Sequence, residues 1–89
     1  MRKQEFNQIV NDGIDRNKNF IVVKIDREGD PAPEIIINPA ENFDHKIKYY
    51  NKAYNDKMEL IKAKEAGKLI RVTDILMTSN LNDLSWFAY

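Results

Sequence analysis

The chain contains no cysteine and a single histidine, His45. Without thiols it forms no disulfide and offers no thiolate nucleophile, a composition that fits a reducing cytoplasm. A zinc site would need further nitrogen or sulfur ligands, and none exist. His45 falls on the outward face of a predicted helix, without the nucleophile and orienting acid of a triad, and reads as a solvated side chain. Glycine and proline occur three times each. No linker, repeat, low-complexity tract or glycine-rich phosphate loop is visible. No apolar run approaches the ~20 residues of a membrane span, and Met1-Arg2-Lys3-Gln4 leads into no signal-peptide core, so no membrane association is expected. Net charge is also lacking: 14 basic side chains balance 14 acidic ones. That argues against a dedicated nucleic-acid binder, which carries a basic excess, and equally against a polyanionic DNA mimic.

What remains is 89 residues, enough for one domain spanning 1–89, with a hydrophobic fraction of 43%. A chain this short buries only about 60–65% of its unfolded surface, so its core is thin and oligomerisation is a natural supplement.

Residues 2–12 read as a short helix, with Phe6, Ile9 and Val10 at i, i+3, i+4 and Gly13 placed to end it. Phe20-Ile21-Val22-Val23-Lys24-Ile25 is dense enough in β-branched and apolar residues to be a central strand buried on both faces. Asp26 to Pro33 is a polar loop, and Glu34-Ile35-Ile36-Ile37 a second strand antiparallel to the first, stopped by Asn38-Pro39. A helix is then predicted from about Asn42 to Ala66, capped by Asn42 or Glu41 and closed by Gly67. Leu69 to about Met77 reads as a third strand, although Thr73–Met77 also suits a helical turn. Ser79 or Asn80 caps a final short helix over Leu81–Phe87. The fold class is α+β: a small three-stranded sheet with one long and two short helices, in the order α-β-β-α-β-α.

The predicted long helix carries two apolar stripes. At about 100° per residue, Phe43, Ile47, Tyr50, Tyr54, Met58 and Ile61 share one face and form the core stripe. Tyr49, Ala53 and Leu60 form a second, with Lys46, Lys57 and Lys64 between the two near one angular position. One reading makes this a single wide apolar face, its lysines laying their stems on apolar neighbours. The other makes Tyr49, Ala53 and Leu60 a contact ridge whose lysine rim selects an acidic partner. Residues 41–71 hold eight basic and five acidic side chains, so this region is the mildly positive part of the chain.

Elsewhere, candidates for chemistry are few. Asp26, Glu28 and Asp30 alternate as calcium ligands do, but the sixth residue counted from Asp26 is Pro31 and the twelfth Ile37, where an EF-hand needs glycine and glutamate. Every other carboxylate sits in a polar context, so no acid/base pair stands out and no enzyme activity is expected. Trp86, Phe87 and Tyr89 crowd the C-terminus, either completing the core or leaving an exposed aromatic cluster of the kind enriched at interfaces.

Residues 36–87 resemble small accessory proteins carried by temperate phages of Gram-positive bacteria. The likeness rests on Ile37-Asn38-Pro39-Ala40-Glu41-Asn42-Phe43, on Lys46-Ile47-Lys48-Tyr49-Tyr50 with Ala53-Tyr54-Asn55-Asp56, and on Ile70-Arg71-Val72 leading into Asn80-Leu81-Asn82-Asp83-Leu84. The resemblance implies a protein of the host bacterium's cytoplasm that binds and inhibits host machinery, including defence systems such as CRISPR–Cas; in that class it would act as an anti-CRISPR. The expectation is a non-enzymatic interaction module without cofactor or metal. Its partner is a host protein, and its surface comprises Lys46, Tyr49, Ala53, Lys57, Leu60 and Lys64, extended by Trp86 and Tyr89. The alternatives are a homodimeric accessory protein that uses the same ridge, and a weak nucleic-acid or nucleotide binder that uses the lysine row.

Overall fold

A computed structural model describes residues 1–88. Helix α1 (Lys3–Asp15) leads into strand β1 (Phe20–Arg27), then β2 (Glu34–Pro39). A 3-10 turn at Ala40–Asn42 opens helix α2 (Phe43–Ala53), followed by a short helix α3 (Ile61–Glu65). Strand β3 (Ile70–Thr78), a 3-10 turn at Leu81–Asp83 and helix α4 (Leu84–Phe87) complete the chain. The class is α+β in the expected order, with the fourth element divided in two.

The three strands form one antiparallel sheet in the order β2-β1-β3. Position β1 at the centre explains its composition. Alternate residues of a strand face opposite sides, and here both sides are covered: Ile21, Val22 and Val23 are fully buried. On the front face Ile21, Val23 and Ile25 join Val72, Ile75 and Met77 of β3 under Phe6 and Val10 of α1 and Phe43 and Tyr50 of α2. On the back, Phe87 of α4 is buried, with Lys24 Nζ 4.8 Å from its ring centroid. Thr73–Met77, ambiguous in sequence, is strand throughout, with a register shift opposite Lys24 and Ile25.

The predicted helix from Asn42 to Ala66 is corrected. It stops at Ala53, and residues 54–60 form a hairpin-like turn instead. Asn55 N–H donates to Glu59 O (2.9 Å) and Met58 N–H to Asn55 O (2.9 Å). The Asn55 carboxamide oxygen accepts from the backbone N–H of Lys57 (2.9 Å) and Glu59 (3.0 Å). An asparagine side chain that satisfies its own loop in this way competes directly with helix formation. The turn is also tied to the sheet: Leu60 N–H donates to Ile70 O (2.7 Å) and Val72 N–H to Met58 O (2.9 Å). Met58 adopts φ +57° at its apex and is fully buried. A non-glycine residue in the left-handed region costs about 1–3 kcal/mol unless its surroundings over-determine it, as these bonds do.

Helix α1 also differs from expectation. Gly13 does not end it. The helix runs to Asp15, and Asn17 at φ +58° supplies the left-handed cap, with Lys18 N–H donating to Gly13 O (2.9 Å) and Asn17 N–H to Ile14 O (3.0 Å). Gly67, at φ +79°, closes α3 in the same manner, as the sequence predicts. At the start of α2 the Asn42 side chain makes no capping bond; the preceding 3-10 turn provides the entry. The second strand runs through Asn38 and Pro39, with Pro39 opposite Phe20. The final helix is shorter than predicted and has no side-chain cap of its own; Asn80 caps the 3-10 turn that precedes it, its side-chain oxygen accepting from Asn82 N–H (3.0 Å). Thr78 braces this corner by donating to Asp83 Oδ2 (2.6 Å). Among the described residues, no helix is long and apolar enough to cross a membrane.

Candidate functional site: an aromatic groove between two helices

Ending α2 at Ala53 and restarting at Ile61 opens a groove of roughly 380 Å³, lined by Tyr49, Lys52, Ala53, Leu60, Ile61 and Lys62. Tyr49, Ala53 and Leu60 are the predicted second stripe. The structure brings all three together: Tyr49 and Ala53 by helical spacing on α2, Leu60 by a fold-back of the chain. Tyr54 and Leu60 face one another as an antiparallel bridge across the turn, which places Leu60 beside the C-terminal end of α2.

The tyrosines form a graded series. Tyr50 packs 5.4 Å from Phe6 and 5.5 Å from Tyr54, centroid to centroid, and is 2% exposed. Tyr49 stands edge-on to both Tyr50 (5.3 Å) and Tyr54 (6.2 Å) and is 45% exposed. Such edge-on pairs are worth about 0.5–1.5 kcal/mol beyond the area they bury. Tyr49 is thus the solvent end of a chain of rings rooted in the core, and its position is fixed before anything binds. Burial pushes the Tyr54 hydroxyl up to about 12, with the neighbouring Tyr49 adding to the effect. Burial raises the Tyr50 hydroxyl further still. Both stay neutral at physiological pH and contribute as packing groups.

The lysines do not form one row, because no single helix carries them. Lys46 lies 5.7 Å over the Tyr49 ring, where its charge meets the negative face of the aromatic system. Lys64 reaches back across the turn to Glu59 (2.8 Å), and together with the Asn55 carboxamide it holds that carboxylate below its usual range. Lys57 points into a different groove of roughly 460 Å³, with Arg2, Glu59, Arg71 and Thr73. The groove beside Tyr49 draws its cations from Lys52 and Lys62 instead. Ile61, expected in the core, is 38% exposed at its edge. Lys52 follows Tyr49 by helical spacing on α2, whereas no periodicity reveals Lys62 or Ile61, since their placement depends on the break between α2 and α3.

At the C-terminus, Phe87 is buried and Trp86 is 60% exposed, their rings edge-on at 6.0 Å. The two adjacent side chains divide between core and solvent. Tyr89 lies outside the described residues. His45 is exposed on α2. Among the described residues no three His, Cys, Asp or Glu side chains converge as a metal site would require.

No protein-family model matches the chain, and neither a curated protein nor a solved structure shows significant similarity to it.

Proposed function

We propose that the chain is a non-enzymatic interaction module that binds a protein target through the groove between α2 and α3. The observation that supports this most is Tyr49. It is half exposed, yet fixed by Tyr50, Tyr54 and Lys46. Binding a partner costs the entropy of every side chain it immobilises, and a ring already immobilised avoids that cost. Aromatic anchors in small apolar pockets dominate interface energetics. Lys46, Lys52 and Lys62, none of them in an ion pair among the described residues, give the rim a positive sign and favour an acidic target.

The resemblance of residues 36–87 to phage accessory proteins supplies the class of target. In this reading the protein acts in the bacterial cytoplasm and inhibits a host protein, with a defence system such as CRISPR–Cas the first candidate. Lys46, Lys57 and Lys64 serve three different local environments, which favours the protein-binding reading over a nucleic-acid binder that uses them as one row.

The test is affinity capture from the lysate of a Gram-positive host, comparing the unsubstituted chain with Tyr49→Asp and Ile61→Asp. A host protein retained by the first and lost from both variants, with circular dichroism unchanged, supports the groove. Equal retention by the variants refutes it. Expression of the chain in a host with active CRISPR interference is then expected to restore phage plaquing, and to fail with Tyr49→Asp.

A further inference from the structure

The two edges of the sheet are treated very differently. Along β3 the outer edge is occupied at its start, over residues 70–72: Ile70 O accepts from Leu60 N–H and Val72 N–H donates to Met58 O. Along β2 it is open. Glu34–Pro39 pairs only with β1, and no other backbone hydrogen bond reaches it among the described residues. No helix packs extensively on it. Exposed edges invite pairing with another strand, and proteins usually blunt them with lysine, proline, bulges or a covering loop. Here the strand offers three consecutive isoleucines, with Pro39 only at its far end. Ile37 is 40% exposed on the back face.

We propose that β2 pairs antiparallel with β2 of a second copy of this chain, joining two sheets into one of six strands in the order β3-β1-β2-β2-β1-β3. The residues of β2 suit this partner in particular. A two-fold axis at Ile36 sets Ile36 against Ile36, Ile35 against Ile37 and Glu34 against Asn38. Each apolar residue meets an apolar, β-branched one of the kind enriched in strands, and no like charges meet. Such an isologous contact closes on itself and covers both β2 edges.

The pairing of Glu34 with Asn38 addresses a specific defect of the single chain. Asn38 is 7% exposed, and its side-chain Nδ2 is buried without an acceptor. A buried donor left unmade costs about 1–3 kcal/mol. Glu34 uses Oε2 to accept from Arg27 Nε (2.7 Å), which leaves Oε1 available. Alternation places residues 34, 36 and 38 on one face, so the second copy's Glu34 stands beside the donor that lacks a partner. No residue of β2 lines the groove of Tyr49, Leu60 and Ile61, so the two contacts use different side chains.

Light scattering at micromolar concentration is expected to give twice the 10.4 kDa of one chain. Because the sequence has no cysteine, single cysteine variants report the register cleanly. Directly opposed residues of an antiparallel pair have Cα atoms about 4.5–5.5 Å apart, within disulfide reach. An equimolar mixture of Ile35→Cys and Ile37→Cys is expected to cross-link on oxidation faster than either variant alone. Ile37→Lys is expected to yield a monomer with unchanged circular dichroism, whereas Tyr49→Asp leaves the dimer intact. If Ile37→Lys does not fold, hydrogen exchange of the unsubstituted chain decides: amides of residues 34–39 must become more protected as concentration rises. A monomer throughout the micromolar range overturns the proposal. So does a dimer whose cross-linking or exchange pattern does not involve β2.

Discussion

Gly13 and Met77 are in direct contact, helix backbone against strand side chain. A Cβ built on Gly13 would fall 2.5 Å from Met77 Cγ and 2.9 Å from Cε. The absence of a side chain at position 13 is what allows α1 to lie close on β3.

Gly13→Ala therefore sets two effects against each other. In an ordinary helix interior the change stabilises by about 1 kcal/mol. Here it over-packs a contact between two fixed elements, which costs about 1–3 kcal/mol. Net destabilisation is expected in urea unfolding, and Met77→Ala is not expected to relieve it, since the nearest atom is the Met77 Cβ that alanine keeps. A gain in stability from the single change would mean that α1 stands further from the sheet.

Met58 distinguishes the turn from a continuous helix. Removing its buried side chain costs about 2–5 kcal/mol in either Met58→Ala or Met58→Gly. At φ +57°, glycine escapes the left-handed strain that alanine keeps. Met58→Gly is therefore expected to be at least as stable as Met58→Ala. If residues 42–66 were one helix, alanine would win by about 1 kcal/mol. Paired thermal or urea melts of the two variants read the order.

Neighbouring tyrosines are expected to behave oppositely. Tyr50→Ala removes a buried ring from the centre of the front face and should cost on the order of 3–5 kcal/mol, the range for large aromatic truncations. Tyr49→Ala should cost less, about 1–3 kcal/mol for its two edge-on pairs, because half of its ring already faces water. Trp86, the only tryptophan, is expected to fluoresce with the red-shifted maximum of a hydrated indole, and Trp86→Ala to leave stability within about 0.5 kcal/mol. A blue-shifted maximum would contradict the division between Trp86 and Phe87.

The tyrosines also fix the alkaline limit. Burial raises the hydroxyls of Tyr50 and Tyr54 above the unfolded value of 10.0, to about 12 for Tyr54. The folded state therefore holds these protons more tightly than the unfolded state does. Their contribution to stability is fully present below pH 10 and declines as pH rises from there through about 12. Phenolate absorbance of these two residues should appear only with alkaline unfolding. Tyr50→Phe should reduce the slope of stability against pH in that window, and an unchanged slope would show that Tyr50 is hydrated in the native state.

Much of the architecture is legible in particular residues. Ile21, Val22 and Val23 announce a strand buried on both faces, and β1 is central. Gly67 announces the end of α3. The break after Ala53 also has a visible signal, since Asn55-Asp56 is a turn-forming pair. It is masked because Tyr54 and Met58 sit at spacings that continue the stripe of Phe43, Ile47 and Tyr50. Burial alone satisfies such a pattern, whether the residues come from a helix or from a turn pressed onto the same core. Gly13 is ambiguous for a different reason: glycine serves both to end a helix and to let one approach a strand, and only the partner tells which.

By itself the sequence determined the strands, the α+β class and the apolar ridge residues Tyr49, Ala53 and Leu60, because burial follows from apolar character and alternation. It also specified the chemistry excluded by a chain without cysteine and with one histidine. Tertiary structure alone decided how Tyr49, Ala53 and Leu60 meet, which lysines surround them and which strand edge stays open. The approach of Leu60 to Tyr49 and Ala53 runs through one left-handed residue, Met58, held by hydrogen bonds to Asn55 and Val72 and not by its own preference.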